Sequence, residues 1–273
     1  MTVTKLQTTL TMLGTGHALV TECFNTCFFI HSDKSQLLID TGGGNYLLHQ
    51  LKAANIDVAG IHHLFITHAH TDHLLGAPWL LRAVSGQVKK GRYEGKLNIY
   101  SHAKVLRLLH VFIDELFSKK DKAVMAQCLN FIEVQPEQEL AIEQFRLTPF
   151  DILSTKELQY GFRLELPDNK ILVCLGDEPF NEHCRNDAMN ADLLLSEAYC
   201  LKAEADKFKP YEKNHSTAFD AGVMAAGLKA KALLLYHTED SDLAHRAGRY
   251  SAEAAENFKG QIFVPRDLDT ITL

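Results

Sequence analysis

Apolar residues recur along this chain in short runs broken by polar turns, and the spacing within each run predicts its element. Extended apolar runs predict strands over 7–13, 26–31 and 36–40, the last ending in Ile39-Asp40-Thr41 before three glycines. Helical spacing follows over 45–54. The run His63-Leu64-Phe65-Ile66 reads as a buried strand and Leu74 to Val84 as a helix, while residues 85–96 (SGQVKKGRYEGK) predict a polar loop bearing glycine and lysine. A strand near Leu97–Tyr100 precedes a long helix whose Val105, Leu108, Leu109, Phe112, Ile113 and Leu116 share one side, a stripe suited to core packing. Further strands are predicted over 130–134, 139–149, 159–166, 170–175, 192–196, 232–236 and 261–264, with helices over 180–188, 217–228 and 241–257.

Strand-rich halves that each carry helices imply a layered α/β protein with two packed sheets. No repeat, low-complexity segment or linker divides the chain, so residues 1–273 are read as a single domain, a length that can support a sizeable core. The hydrophobic share of 46% and charged share of 23% are ordinary for a soluble globular protein. A formal net charge of -6 argues against an extended nucleic-acid surface, because phosphate binding wants a basic face. Six cysteines (Cys23, Cys27, Cys128, Cys174, Cys184, Cys200) show no CxxC pair and read mostly as reduced core thiols of an intracellular protein. The amino terminus lacks the features of a signal peptide, and no apolar run approaches the roughly 20 residues that cross a bilayer. The expected location is the cytoplasm, with no membrane contact.

The stretch Thr67-His68-Ala69-His70-Thr71-Asp72-His73 changes the picture most. Four metal-capable side chains crowd into six positions after a strand, and imidazole and carboxylate are donors that borderline cations such as zinc take. Positions 68 and 70 are two apart, so an extended strand end turns both imidazoles the same way. Asp72 and His73 follow in a tight turn and could serve a second ion. Three further candidates close apolar runs: Asp40 after Leu37-Leu38-Ile39, Asp177 after the run from Ile171 to Gly176, and His237 after the run from Ala232 to Tyr236. Strand ends are where layered α/β folds assemble sites from distant segments. Each residue alone reads as a cap or a surface group; with the histidine cluster they read as one metal centre.

Together these residues resemble the metallo-β-lactamase superfamily, and within it the ribonuclease Z-like and phosphodiesterase branch, over nearly the whole chain. Met12-Leu13-Gly14-Thr15-Gly16 with Asn25-Thr26-Cys27-Phe28 resembles that branch's opening, Leu38-Ile39-Asp40-Thr41-Gly42-Gly43 its next motif, and THAHTDH its signature. Gly176-Asp177 and Tyr236-His237 resemble its later ligand motifs. The resemblance implies an αββα four-layer sandwich with the site along one edge of the two sheets. It implies His68 and His70 as ligands of a first metal, Asp72, His73 and His237 as ligands of a second, Asp177 as the bridge, and Asp40 as support behind the ligands. Zinc is implied, one or two ions per chain, with manganese or iron as alternatives. Two such cations about 3.5–4 Å apart polarise a phosphoryl oxygen and lower the pKa of a shared water towards 7.

One position departs from the resemblance. Asp151-Ile152-Leu153-Ser154-Thr155-Lys156, ahead of Tyr160-Gly161-Phe162, resembles a segment where the family places another histidine for the first metal, and leucine stands at 153. None of the fourteen histidines falls between His110 and His183. Leucine offers no lone pair. If it faces the site, the first metal keeps two imidazoles and the shared carboxylate, with Ser154, Asp151 or a water as weaker substitutes. A strong second site and a weakened first one are expected, and Leu153→His is expected to raise metal content towards two per chain.

Downstream, Ser196-Glu197-Ala198 and Asn214-His215-Ser216-Thr217 resemble a pair in which the histidine lies beside the scissile phosphate and the glutamate orients it. A leaving alkoxide needs a proton, and imidazole titrates near the working pH. A carboxylate partner raises its pKa and holds the useful tautomer. The plainer alternative is a surface histidine at the start of a helix near Ser216. Asp72, His215 and Glu197 are thus the candidate catalytic residues. His17, near the turn at Gly14–Gly16, either reaches the rim of the site or belongs to a loop.

The 24 positions from Leu153 to Asp177 are too few for the long arm that the resemblance associates with tRNA-processing members. With the acidic charge, this argues against tRNA. The expected reaction is hydrolysis of a small or cyclic phosphodiester, an anionic substrate, by a metal-bound hydroxide, with His215 as proton donor. Lactone, thioester or amide hydrolysis on the same fold is one alternative; a metal-binding domain impaired in catalysis is the other. Lys89, Lys90, Arg92 and Lys96 could attract the anion, although a solvated loop accounts for them equally well. A homodimer is left open.

Overall fold

Fourteen strands pair into two seven-stranded sheets in the computed structural model, which describes residues 7–273. The reading of the amino terminus falls in part on residues 1–6, outside that range. In the first sheet β14 (Thr270–Thr272), β1 (Thr9–Gly14), β2 (Cys27–Ser32) and β3 (Ser35–Ile39) pair antiparallel. From β3 onward, β4 (His63–Phe65), β5 (Leu97–Ser101) and β6 (Leu129–Glu133) run parallel. The second sheet repeats this plan. There β7 (Leu140–Ile142), β8 (Phe145–Asp151), β9 (Tyr160–Glu165) and β10 (Ile171–Cys174) pair antiparallel. Then β10, β11 (Leu193–Glu197), β12 (Ala232–Tyr236) and β13 (Gln261–Phe263) run parallel.

Parallel neighbours need long crossovers, and helices supply them. In the first half these are α1 (Tyr46–Ala53), α2 (Thr71–Leu74), α3 (Ala77–Lys89), α4 (Ala103–Leu116) and α5 (Lys119–Cys128). In the second they are α6 (Arg185–Ala188), α7 (Ala205–Phe208), α8 (Ala218–Gly227) and α9 (Leu243–Ala254). Between the sheets lies one core, to which Met12, Phe28, Leu37, Phe65, Phe162, Leu172 and Tyr236 contribute. Phe65 and Phe162 meet edge to face across it, with centroids 5.5 Å apart. Two further cores join the outer faces to the helices, one holding Leu38, Leu64, Leu80 and Leu109, the other Val173, Leu194, Leu235 and Tyr250. Successive residues of β3, β10 and β12 alternate between the inner core and an outer one, so both faces are buried. That is why these strands read as unbroken apolar runs. The layers are helix, sheet, sheet, helix, as the resemblance implied.

Several expectations need correction. Residues 85–89 are not loop: α3 continues to Lys89, with Ser85 buried, Val88 packed against the core and Lys89 exposed and bonded to Asp121. The helix expected over 74–84 is two helices, because the chain bends at Leu75-Gly76 to touch the loop after β3. The strand over 139–149 is the hairpin β7–β8, turning at Glu143 and Gln144 with Glu143 at φ 54°. The helix over 180–188 is a 3-10 turn at Glu182–Cys184 followed by the short α6. Helix α5 went unpredicted because it buries only Met125 and Cys128. In α4 the buried side is Val105, Leu106, Leu109 and Ile113, whereas Leu116 is exposed.

Candidate metal centre

The candidate groups cluster because parallel strands deliver their carboxyl ends to one edge. Asp40 follows β3, residues 67–73 follow β4, Asp177 follows β10, Glu197 ends β11 and His237 follows β12. Asp40 and His237 both adopt left-handed backbone, at φ 56° and 55°, which swings their side chains out of the strand direction. The loops after β3 and β4 are clamped together. The Thr41 amide and hydroxyl donate to the His73 carbonyl at 2.9 and 2.7 Å, and the Gly76 amide donates to the Gly42 carbonyl at 2.8 Å. A Cβ at Gly76 would lie 1.9 Å from the Thr41 carbonyl oxygen, so only glycine fits.

Asp40 is the buried hub behind the cluster. Its Oδ1 accepts the Thr67 amide at 2.8 Å, and its Oδ2 accepts the Thr67 hydroxyl at 2.8 Å and His73 Nδ1 at 2.7 Å. The Thr67 hydroxyl has one proton, which it gives to Asp40, so it accepts from His68 Nδ1 at 2.9 Å. Both imidazoles therefore carry a proton on Nδ1 and turn Nε2 inward, the arrangement that outer carboxylates impose on metal-binding histidines.

Inward, His73 Nε2 lies 3.4 Å from Asp72 Oδ2 and 3.4 Å from Asp177 Oδ2. His237 Nε2 lies 3.4 and 3.5 Å from the same two oxygens. Ligand atoms around a tetrahedral zinc with bonds near 2.0–2.1 Å stand about 3.3–3.4 Å apart, so these four groups have the spacing of a coordination shell. Buried His73 Nε2 has no hydrogen-bond partner, which fits a lone pair reserved for a cation. Without a cation a proton takes that place: burial works against it, but Asp72 and Asp40 raise the pKa of His73 well above its ordinary value. Asp72 and Asp177 remain well below the carboxylate range, since the surrounding imidazoles outweigh burial. Burial pushes His68 well below its usual value and keeps it neutral.

A second grouping is smaller. His68, His70 and Asp177 offer one ligand atom each within 4.8 Å, with His68 Nε2 at 2.8 Å from His70 Nδ1 and 3.5 Å from Asp177 Oδ2. Leu153 is 47% exposed at φ 56° and does not line the cavity. The condition that its side chain faces the ligands is not met: Leu153 is half exposed and its amide donates to Asp151 Oδ1 at 2.8 Å. Sequence reasoning missed Gln159, whose buried amide donates to Asp177 Oδ1 and leaves Oδ2 facing the histidines. Its only sequence signal was its place before Tyr160.

His215 and Glu197 come together beside this centre. His215 Nδ1 lies 3.7 Å from Glu197 Oε2, longer than a hydrogen bond. The carboxylate is held by backbone, accepting the Ser216 amide at 2.5 Å and the Tyr199 amide at 3.1 Å. The ring of His215 stacks on Tyr199 at 4.7 Å, and His17 also stacks on Tyr199, at 4.5 Å. The stack, more than the carboxylate, sets the orientation of His215. His17 belongs to the rim; burial, helped by His237 and His215, holds its pKa down to about 4. The cavity over the cluster measures about 430 Å³ and is lined also by Lys156 and Lys213. None of Lys89, Lys90, Arg92 and Lys96 lines it. No helix of the described residues is long and apolar enough to cross a membrane.

Comparison with known proteins agrees with this architecture. A family model described as anti-Pycsar protein Apyc1 matches residues 8–247. The chain is similar to ribonuclease Z of Marinobacter nauticus, 24% identical over 319 residues that cover 96% of this chain and 95% of the relative. Among solved structures, the metallo-β-lactamase fold protein YhfI from Bacillus subtilis superposes with TM-score 0.79 at 20% identity, covering 97% of this chain and 99% of that one. A diphosphatase from the PhnP family superposes with TM-score 0.73 at 20% identity, covering 98% and 97%. At such identities these structures establish the fold, which is the metallo-β-lactamase fold.

Proposed function

The chain belongs to the anti-Pycsar protein Apyc1 family, and on that premise we propose that it is a metal-dependent hydrolase of small or cyclic phosphodiesters. One observation carries the reading: Asp72, His73, Asp177 and His237 converge with ligand spacing at the floor of a cavity whose wall holds His215. Relatives named ribonuclease Z and a structural neighbour named a diphosphatase support phosphoester chemistry. Between Leu153 and Asp177, residues 160–174 form β9, β10 and the turn between them and residues 153–159 a short loop, which leaves no arm there for gripping tRNA and favours a smaller substrate.

Asp72, His73, Asp177 and His237 would hold the stronger cation; His68, His70 and Asp177 would hold a weaker one. Zinc suits the donor set, one or two ions per chain. A divalent cation bound there supplies Lewis acidity, offsetting charge on the phosphoryl group and acidifying the attacking water. The protein does the rest. Asp40 and Thr67 fix the tautomers of His68 and His73. Asp72 doubles as an anion that can orient the attacking water. The stack of His17 and Tyr199 holds His215 facing the cavity, with the Glu197 carboxylate 3.7 Å from its Nδ1. From there His215 protonates the leaving oxygen as the ester bond breaks.

The test is hydrolysis of bis(p-nitrophenyl) phosphate and a 3′,5′-cyclic nucleotide by protein stripped with chelator and reloaded with zinc. Activity restored by zinc, and abolished by His237→Ala, is expected. Turnover of a lactone or thioester with no turnover of either diester would move the reading to acyl hydrolysis.

A further inference from the structure

Resting on that reading of the site, we propose that Lys156 and Lys213 form an ammonium clamp that receives the phosphoryl charge, with Lys156 supplying positive charge from the segment that carries no ligand at 153. The segment from Leu153 to Lys156 is not idle. Glu178, buried and adjacent to Asp177, accepts the Ser154 hydroxyl at 2.8 Å on Oε1 and the Asn214 amide at 2.6 Å on Oε2. Asn214 also donates to the Thr155 hydroxyl at 3.2 Å. One carboxylate therefore ties together the two loops that carry the lysines. Both lysines line the cavity over the metal ligands.

The two ammonium groups are held differently, and only Lys156 has a carboxylate partner. Lys213 Nζ lies 3.0 Å from the Tyr199 hydroxyl, a neutral partner, and 4.9 Å from the centre of that ring. Lys156 Nζ pairs with Glu178 Oε1 at 3.7 Å, and because that carboxylate is anchored by Ser154 and Asn214 the pair holds Lys156 at the cavity wall. Charge balance gives them a task. A single divalent cation is offset by Asp72 and Asp177, so a centre with a weakened first position has little net charge for an anionic diester. The charge that develops as the ester bond breaks needs preorganised positive groups. Two ammonium groups at the cavity wall provide them, and they select for an anionic substrate over a neutral ester of the same size.

The test uses zinc-loaded protein, with Lys156→Met, Lys213→Met, the double variant and Lys156→Arg. Inorganic phosphate is the binding probe, followed by calorimetry at two salt concentrations. Wild-type protein is expected to bind phosphate more weakly at high salt. Each methionine variant should lose about tenfold in affinity, the magnitude of one charge-assisted hydrogen bond, with unchanged zinc content and thermal midpoint, while Lys156→Arg retains binding. For bis(p-nitrophenyl) phosphate, KM should rise in the methionine variants by more than kcat falls. Absent phosphate binding in wild type, or equal binding in all variants, would overturn the clamp. Diester hydrolysis with an unmoved KM sinks the clamp and leaves the hydrolase reading standing. Lysine-dependent phosphate binding without any diester hydrolysis does the reverse.

Discussion

Oδ2 of Asp40 lies 2.7 Å from Nδ1 of His73, and the same oxygen accepts the Thr67 hydroxyl that orients His68. One buried carboxylate thus sets the tautomers of a histidine in each of the two ligand groupings. Asparagine tolerates the left-handed backbone at position 40 but offers an NH2 group in place of one acceptor oxygen. Asp40→Asn is expected to weaken zinc binding by about 10–100-fold with the fold intact. A chelator-competition titration, with circular dichroism as the control, reads this; undiminished affinity would contradict the hub.

Leu153→His is expected to leave zinc stoichiometry unchanged. The sequence argued for a gain, but the side chain at 153 is half exposed on a left-handed residue, does not line the cavity over the ligands, and belongs to a loop held by Glu178. Metal analysis after desalting decides it. A rise to two ions per chain would show that the loop can turn inward.

The contrast shows what the sequence could carry. The ends of β3, β4, β10 and β12 were legible because two-sided burial writes unbroken apolar runs, each stopped by an acid or a histidine. Position 153 was not legible in this way. Its exposure depends on Ser154, Thr155, Asn214 and Glu178 finding one another across 24 to 59 residues, and no periodicity records that. Gln159 and the lysines at 156 and 213 were missed for the same reason: they join the site through loop tertiary contacts. Helix α5 was missed because so little of it is buried.

His215→Ala is expected to slow hydrolysis of esters with poor leaving groups far more than that of p-nitrophenyl esters, because an alkoxide needs the proton and a nitrophenolate does not. The general-acid contribution is about 10²–10⁴-fold. Comparing kcat for a cyclic nucleotide with kcat for bis(p-nitrophenyl) phosphate tests this. Equal losses on both substrates would remove the proton-donor role.

His17 gives an acid-stability signature. Its pKa is about 4 in the folded protein against 6.5 ordinarily, so as pH falls through that window the unfolded chain takes up the proton first and stability drops. In chelator-stripped protein, His17→Gln should lose less thermal stability than wild type between pH 6.5 and pH 4. Parallel curves for the two proteins would mean that the imidazole is not held neutral.

The most direct test of the account is the zinc content and affinity of purified protein, measured by elemental analysis and titration, for wild type beside Asp72→Ala and His237→Ala. At least one tightly held ion per chain is expected in wild type, with affinity sharply reduced in both variants. A wild-type protein that neither carries nor takes up a divalent transition metal, or variants that bind it as tightly, would contradict the metal centre on which the hydrolase reading stands.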